Sequence, residues 1–193
     1  MNELKNQIKT IYPISSESEN SLAEICREVT FQKGEDIQKI GHTCKILYFV
    51  KKGVVRVYYF KDEIDITESF EFENAFVARA ESLFTGKPSR KGIQAIENTS
   101  LIAINSDKLF QLFDSHPDLE RLFRKIIENS YVKTVNRIES LQFNTAEERY
   151  TALVKENRDI LKRVPLKYVA SFLGITQVSL SRIRGIKSLF INC

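Results

Sequence analysis

Residues 168–185 read "YVASFLGITQVSLSRIRG", a run without one carboxylate in a chain of which 28% is charged. Gln177, Ser179, Arg182 and Arg184 supply hydrogen-bond donors within it, and Thr176 stands directly before them. Donors of these types suit phosphate oxygens and base edges, where a neighbouring carboxylate would repel the backbone of a nucleic acid. The depletion of acid reaches further. After Asp159 the chain carries Lys162, Arg163, Lys167, Arg182, Arg184 and Lys187, and neither Asp nor Glu. Residues 1–115 hold 15 basic and 17 acidic side chains, net −2, whereas residues 116–193 hold 14 and 8, net +6. A one-signed patch of this kind attracts polyanions.

Other reactive residue types are sparse. The histidines are His42, in an expected loop after Gly41, and His116, directly before Pro117. Neither lies in a nucleophile or base motif, so His42 reads as a turn residue and His116 as the entry to a helix. "FTGKPS" contains Gly86-Lys87 but lacks the glycine five residues upstream that a phosphate loop requires. Cys26, Cys44 and Cys193 are widely separated, which predicts reduced thiols rather than a disulfide framework or a metal cluster. No catalytic residue, metal or cofactor is expected, and the chain does not read as an enzyme.

The donors need a scaffold, and the surrounding spacing supplies one. Val169, Leu173, Ile175, Leu180 and Ile183 are apolar, Ala170 is small, and the helical period breaks at Gly174 and resumes in a new phase. Two helices joined by a tight turn account for all of this: glycine tolerates positive φ, Ala170 admits close approach, and the aliphatics hold the pair on a core. Pro165 presets the first helix and Thr176 caps the second. The spacing is that of a helix-turn-helix whose second helix exposes Gln177, Ser179, Ser181, Arg182 and Arg184 to duplex DNA.

Upstream, residues 117–142 repeat Leu119, Leu122, Phe123, Ile126, Ile127, Tyr131, Val135, Ile138 and Leu141 three or four apart, which predicts a helix of about 39 Å. Its length suits a spacer or a dimer seam. Thr145 and Glu148 have capping-box spacing, which places a boundary near residues 142–144. Before the long helix, a short helix near Ser16 gives way to strand-like runs. "VTFQKGEDIQKIG" has turn glycines at 34 and 41, and "ILYFVKKGVVRVYYF" reads as a hairpin about Lys51-Lys52-Gly53. "EIDITESFEF", "GIQAI" and "SLIAIN" continue the strands around one short helix in "ARAESLFTGKPSR". The aromatic residues Tyr48, Phe49, Tyr58, Tyr59 and Phe60 alternate, so about half are expected in a core. Hydrophobic residues make up 42% of the sequence, and no run approaches the roughly 20 apolar residues of a membrane span. The N-terminus lacks the apolar core of a signal peptide, and a cytoplasmic location is expected.

The expected fold class is therefore α+β: an antiparallel β-roll over residues 1–116, a long helix over 117–142 and an all-α helix-turn-helix unit over 143–193 with a short or absent wing. With these pieces in this order the chain resembles the Crp/Fnr family of bacterial transcription regulators. The resemblance rests on "KGEDIQKIG", "YFVKKGVVRVYYF", "AESLFTGKPSRKGIQAIE" and "AEERYTAL…VPLKYVASFLGITQVSLSRIR". It implies a cyclic-nucleotide-receptor-like sensor and a homodimer joined along the long helix, with each second helix in the major groove of one half of a near-palindromic site. Thr176, Gln177, Ser179, Arg182, Arg184 and Lys187 become DNA-binding residues on this reading, with RNA polymerase as a further partner and no membrane. In the ligand cassette the resemblance places Glu81 for a ribose hydroxyl and Arg90 or Lys91 for a phosphate. The chain departs from the family there, having Lys91-Gly92 in place of an Arg followed by a hydroxyl residue, and it has Val178 where many members carry an acid. Lysine is a point charge without the bidentate fork of arginine. An unknown small-molecule effector other than a cyclic nucleotide, or no effector at all, is expected. The alternative from another class is an effector-binding or protein-interaction module with a vestigial DNA-binding domain.

Overall fold

A computed structural model describes residues 1–191, with side chains through Gly185. Helices α1 (Asn2–Ile11) and α2 (Ser16–Glu24) lead into strands β1 (Cys26–Phe31), β2 (Asp36–Gln38), β3 (Ile46–Lys52), β4 (Val55–Lys61), β5 (Ile64–Glu71) and β6 (Phe76–Val77). Helix α3 (Ala80–Thr85) precedes β7 (Gly92–Ala95) and β8 (Thr99–Asn105). The remaining elements are helices α4 (Ser106–Leu112), α5 (Pro117–Phe143), α6 (Ala146–Glu156), α7 (Ile160–Arg163), α8 (Leu166–Leu173) and α9 (Gln177–Ile191).

Two antiparallel four-stranded sheets, in the orders β1-β8-β3-β6 and β2-β7-β4-β5, face each other. A period of two sorts their side chains between cores. Tyr48 and Val50 of β3 and Leu101 and Ala103 of β8 meet Val55, Val57 and Ile93 inside the roll. The alternate residues Leu47, Phe49, Ile102 and Ile104 face outward and are covered by Leu4 and Ile8 of α1, Leu22 of α2, Leu109 of α4 and Leu119, Leu122, Phe123 and Ile126 of α5. Because this sheet is buried on both faces, its strands read as continuous apolar runs.

The expected hairpin at Gly53 is not formed. β3 pairs with β6 and β8, and β4 pairs with β5 and β7, so the chain at Gly53 crosses from one sheet to the other. Gly53 has φ +106°, and a Cβ there would lie 2.5 Å from Thr99 Oγ1, so only glycine fits the crossing. The hairpin is instead β4–β5, turning at Asp62 and Glu63 with φ of 50° and 64°. Helix α1 has no counterpart in the sequence-based expectation, although Leu4 and Ile8 form its buried face four residues apart. The second helix starts at Ser16, as expected, and is capped by Ser15, whose hydroxyl accepts from the Ser18 amide.

Helix α5 begins as expected at Pro117 and extends to Phe143, with His116 as its entry residue. His116 Nδ1 lies 3.2 Å from Ser18 Oγ, and that hydroxyl donates to Asp118 Oδ1 at 2.5 Å, tying α2 to the start of α5. The Thr145–Glu148 capping box is complete, with both reciprocal hydrogen bonds present. Among the described residues no helix is long and apolar enough to cross a membrane.

Candidate nucleic-acid interface and sensor cleft

Gly174 ends α8 in the left-handed region, φ 69° and ψ 33°, and its neighbour Ile175 donates its amide to Ala170 O. The Thr176 hydroxyl accepts from the Ser179 amide at 3.1 Å and caps α9, a contact of about 1 kcal/mol. Val169, Ala170, Leu173 and Leu180 are fully buried with Tyr150, Leu153, Ile160 and Val164, while Ile175 and Ile183 pack at the edge of that core. Burial of these positions turns the other face of α9 outward. Thr176, Gln177, Val178, Ser181 and Arg182 are exposed, and Ser179 and Arg184 are half-buried. The side chain of Lys187 lies outside the described residues. Helix α9 runs on to Ile191, and no strand follows it among the described residues.

The same helical unit packs against the roll. Its core includes Val54 and Ile96, with Phe70 and Phe72 beside them, so α8 lies across β5. Ser171 Oγ on α8 accepts from the Thr67 amide at 2.9 Å and donates to Asp65 O at 3.1 Å, meeting the free edge of β5. Beneath α8, Arg56 is 1% exposed. Its guanidinium makes paired bonds of 2.6 and 2.7 Å to the Asp65 carboxylate, reaches Gln94 Oε1 and stacks 3.7 Å from the Tyr168 ring. A buried charge is tolerable only with partners this complete.

Arg163 on α7 closes the far end of this interface. It bonds Glu73 at 2.6 and 2.9 Å and Glu97 at 2.5 Å, both carboxylates belonging to the roll. Burial alone would raise the Glu73 carboxyl, but the Arg163 hydrogen bonds and the Gly53 amide outweigh it and bring its pKa down to about 2. A carboxylate whose folded pKa lies below its ordinary value stabilises the folded form above that value and loses the contribution as pH falls toward the folded pKa. Arg163→Ala is therefore expected to lower thermal stability, with a deficit that is full above about pH 4.5 and shrinks as the pH falls toward 2. Melting curves by circular dichroism between pH 7 and 3 check this, and a deficit constant across the range would remove Glu73 as its source.

On the other side of β5 a cleft of 1760 Å³ opens between the roll, α3, α5 and α8. Glu81 and Lys91 line it, whereas Arg90 is exposed and is not part of the lining. The sequence pattern did not point to Arg79 or Glu68. Lys91 Nζ donates to Glu68 Oε2, and Arg79 Nη1 lies 3.7 Å from Glu68 Oε1. Arg137 of α5 borders the same cleft, stacks 3.9 Å from the Phe172 ring and donates to the Phe172 carbonyl. Burial and the nearby Arg149 hold the Arg137 guanidinium below its usual pKa, and Glu68 opposes them.

The chain thus joins a β-roll, a long connecting helix and a capped helix-turn-helix with a basic outward face. Residues 28–116 match the cyclic nucleotide-binding domain family. The chain as a whole has the fold of the Crp/Fnr transcriptional regulators. It is similar to FixK2 from Bradyrhizobium japonicum, at 18% identity and TM-score 0.74 over 87% of this chain and 86% of that one. A protein from Eubacterium rectale assigned to the Crp/Fnr family is similar at 16% identity and TM-score 0.71, over 91% of this chain and 84% of the other. The c-di-GMP-responsive global regulator CLP of Xanthomonas campestris is similar at 18% identity and TM-score 0.68, over 92% and 93%. None of the curated protein sequences matches the chain.

Proposed function

We propose that the protein is a transcriptional regulator that binds a near-palindromic duplex as a homodimer, inserting α9 of each copy into the major groove. The observation that carries this reading is the outward face of α9, where Gln177 and Arg182 stand exposed in a segment free of carboxylates. Thr176, Gln177, Ser179 and Arg182 lie at the N-terminal end of the helix, which is the end that meets base edges in this mode of docking. Arg184 and Lys187 follow as phosphate contacts. The chain divides into a sensor over residues 1–116, the dimer helix over 117–142 and the DNA-binding unit over 143–193. It acts in the cytoplasm, with RNA polymerase as the partner through which occupancy is read, and it catalyses no reaction.

Its effector is a small molecule other than cyclic AMP or cyclic GMP. A cyclic phosphate taken from water needs a charge-assisted, preferably bidentate clamp. Lys91 offers a single ammonium already bonded to Glu68, and Arg90 stands outside the cleft lining. Selection of bound fragments from a random duplex library tests the main reading. The expected result is enrichment of two half-sites about one helical turn apart, roughly 34–36 Å centre to centre. Binding that is independent of sequence and vanishes at physiological salt would instead favour a module with a vestigial DNA-binding unit.

A further inference from the structure

Strand β5 carries one residue more than β4 opposite it. Val57 pairs with Ser69 and Tyr58 pairs with Thr67, which leaves Glu68 without a cross-strand partner. A bulge of this kind re-aims a side chain out of the regular alternation. Here it delivers the Glu68 carboxylate to Lys91 and Arg79, one oxygen to each. Arg137 lines the same cleft. Arg79 is only 13% exposed, and its Nε is buried with no hydrogen-bond partner among the described residues. Two cations sharing one half-buried seat repel one another unless an anion sits between them, and a carboxylate is the anion the chain itself provides.

We propose that Glu68 is an intramolecular stand-in for a ligand anion: it fills the cationic seat of the sensor, and removing it exposes a binding site for a phosphate-type oxyanion. The seat is wired to the DNA-binding unit by two short routes. The residue before Glu68, Thr67, has its amide held by Ser171 of α8, and Arg137 donates to the Phe172 carbonyl of the same helix. An occupant that displaces Glu68 therefore shifts β5 and Arg137 against α8, which carries the turn into α9. This rests on the sensor role proposed for residues 28–116, and it deepens that role by naming the chemistry of the ligand and the residue that competes with it.

The test is calorimetric titration of inorganic phosphate and of cyclic AMP, in separate arms and without DNA, into the full chain and into Glu68→Ala and Glu68→Gln. The wild type is expected to saturate with neither ligand below 1 mM (about −4 kcal/mol of binding free energy). Glu68→Ala is expected to bind at least one of them at least tenfold more tightly, and Lys91→Ala added to it is expected to reverse the gain. Binding of phosphate by itself marks a seat for free oxyanions, and binding of cyclic AMP alone marks one for a nucleotide phosphate. Glu68→Gln keeps the side-chain volume and serves if the alanine variant does not fold. The proposal is overturned if neither folded variant binds either ligand at least tenfold more tightly than the wild type, or if the wild type itself saturates with one of them below 1 mM. Because no DNA is present, the outcome does not depend on whether the chain binds a duplex.

Discussion

Arg182→Ala is expected to lose about 1–3 kcal/mol at the selected duplex, between about five- and 150-fold in affinity, and to relax the base preference at the positions its guanidinium reaches. The side chain is exposed near the start of α9, on the face opposite the buried Leu180, so truncating it removes no packing from the core. A guanidinium can bond the O6 and N7 of a guanine together, which an alanine methyl cannot imitate. Lys167, exposed at the start of α8, makes the contrasting case. A cation there suits a phosphate, so Lys167→Ala is expected to weaken all sequences about equally and to reduce the salt slope by about 1. Fluorescence anisotropy on the selected site and on scrambled duplexes, over a salt series, separates the two effects. Unchanged affinity and preference in Arg182→Ala would show that α9 is not the reading helix.

The readable parts of this chain are those whose determinants are local. Gly174, Thr176 and Pro165 fix a turn, a cap and a helix entry within a dozen residues, so the helix-turn-helix could be placed to within a residue or two. Pro117 and the Thr145–Glu148 box did the same for both ends of the region around α5. The strands were legible as apolar runs, but their pairing was not. A glycine in a three-residue link is the local signature of a hairpin, whereas Gly53 serves a crossing whose need arises only because Tyr48 and Val50 must face Val55 and Val57 across the roll. Helix α1 carried the signal of Leu4 and Ile8, but its worth as a helix lies in the α5 and sheet surface it covers, which is distant in sequence. The cassette suffered most. Glu68 reaches Lys91 and Arg79 through a bulge defined by register against β4, and Arg56 finds Asp65 and Tyr168 across two different elements. Nothing within a few residues of either announces such partners.

Substituting glutamate at both Tyr131 and Ile138 is expected to yield monomers and to weaken specific DNA binding by roughly 10²–10⁴-fold, the advantage that linking two half-site contacts confers. Helix α5 changes character along its length. Leu119, Leu122, Phe123 and Ile126 are buried against the roll, whereas Tyr131 is 69% exposed, Val132 54%, Ile138 50% and Leu141 46%. Residues 131, 135 and 138 recur four and three apart, the spacing of a seam between two helices, and a stripe of that size left in water is costly. A second copy of the same helix is the partner that a two-fold site calls for, since two recognition helices must then be held at fixed separation. Ile127 is a poorer probe, because it packs partly against the core of the roll and its replacement would damage the sensor as well. Tyr131 lies outside the cleft lining, and Ile138, at the cleft's edge, is half exposed and outside the buried core, so circular dichroism of the double variant is expected to match the wild type. Sedimentation at micromolar concentration supplies the decisive reading: a wild-type chain that runs as a monomer yet binds the selected site with full affinity, or a variant that remains a dimer, would sink the assignment of α5 as the seam.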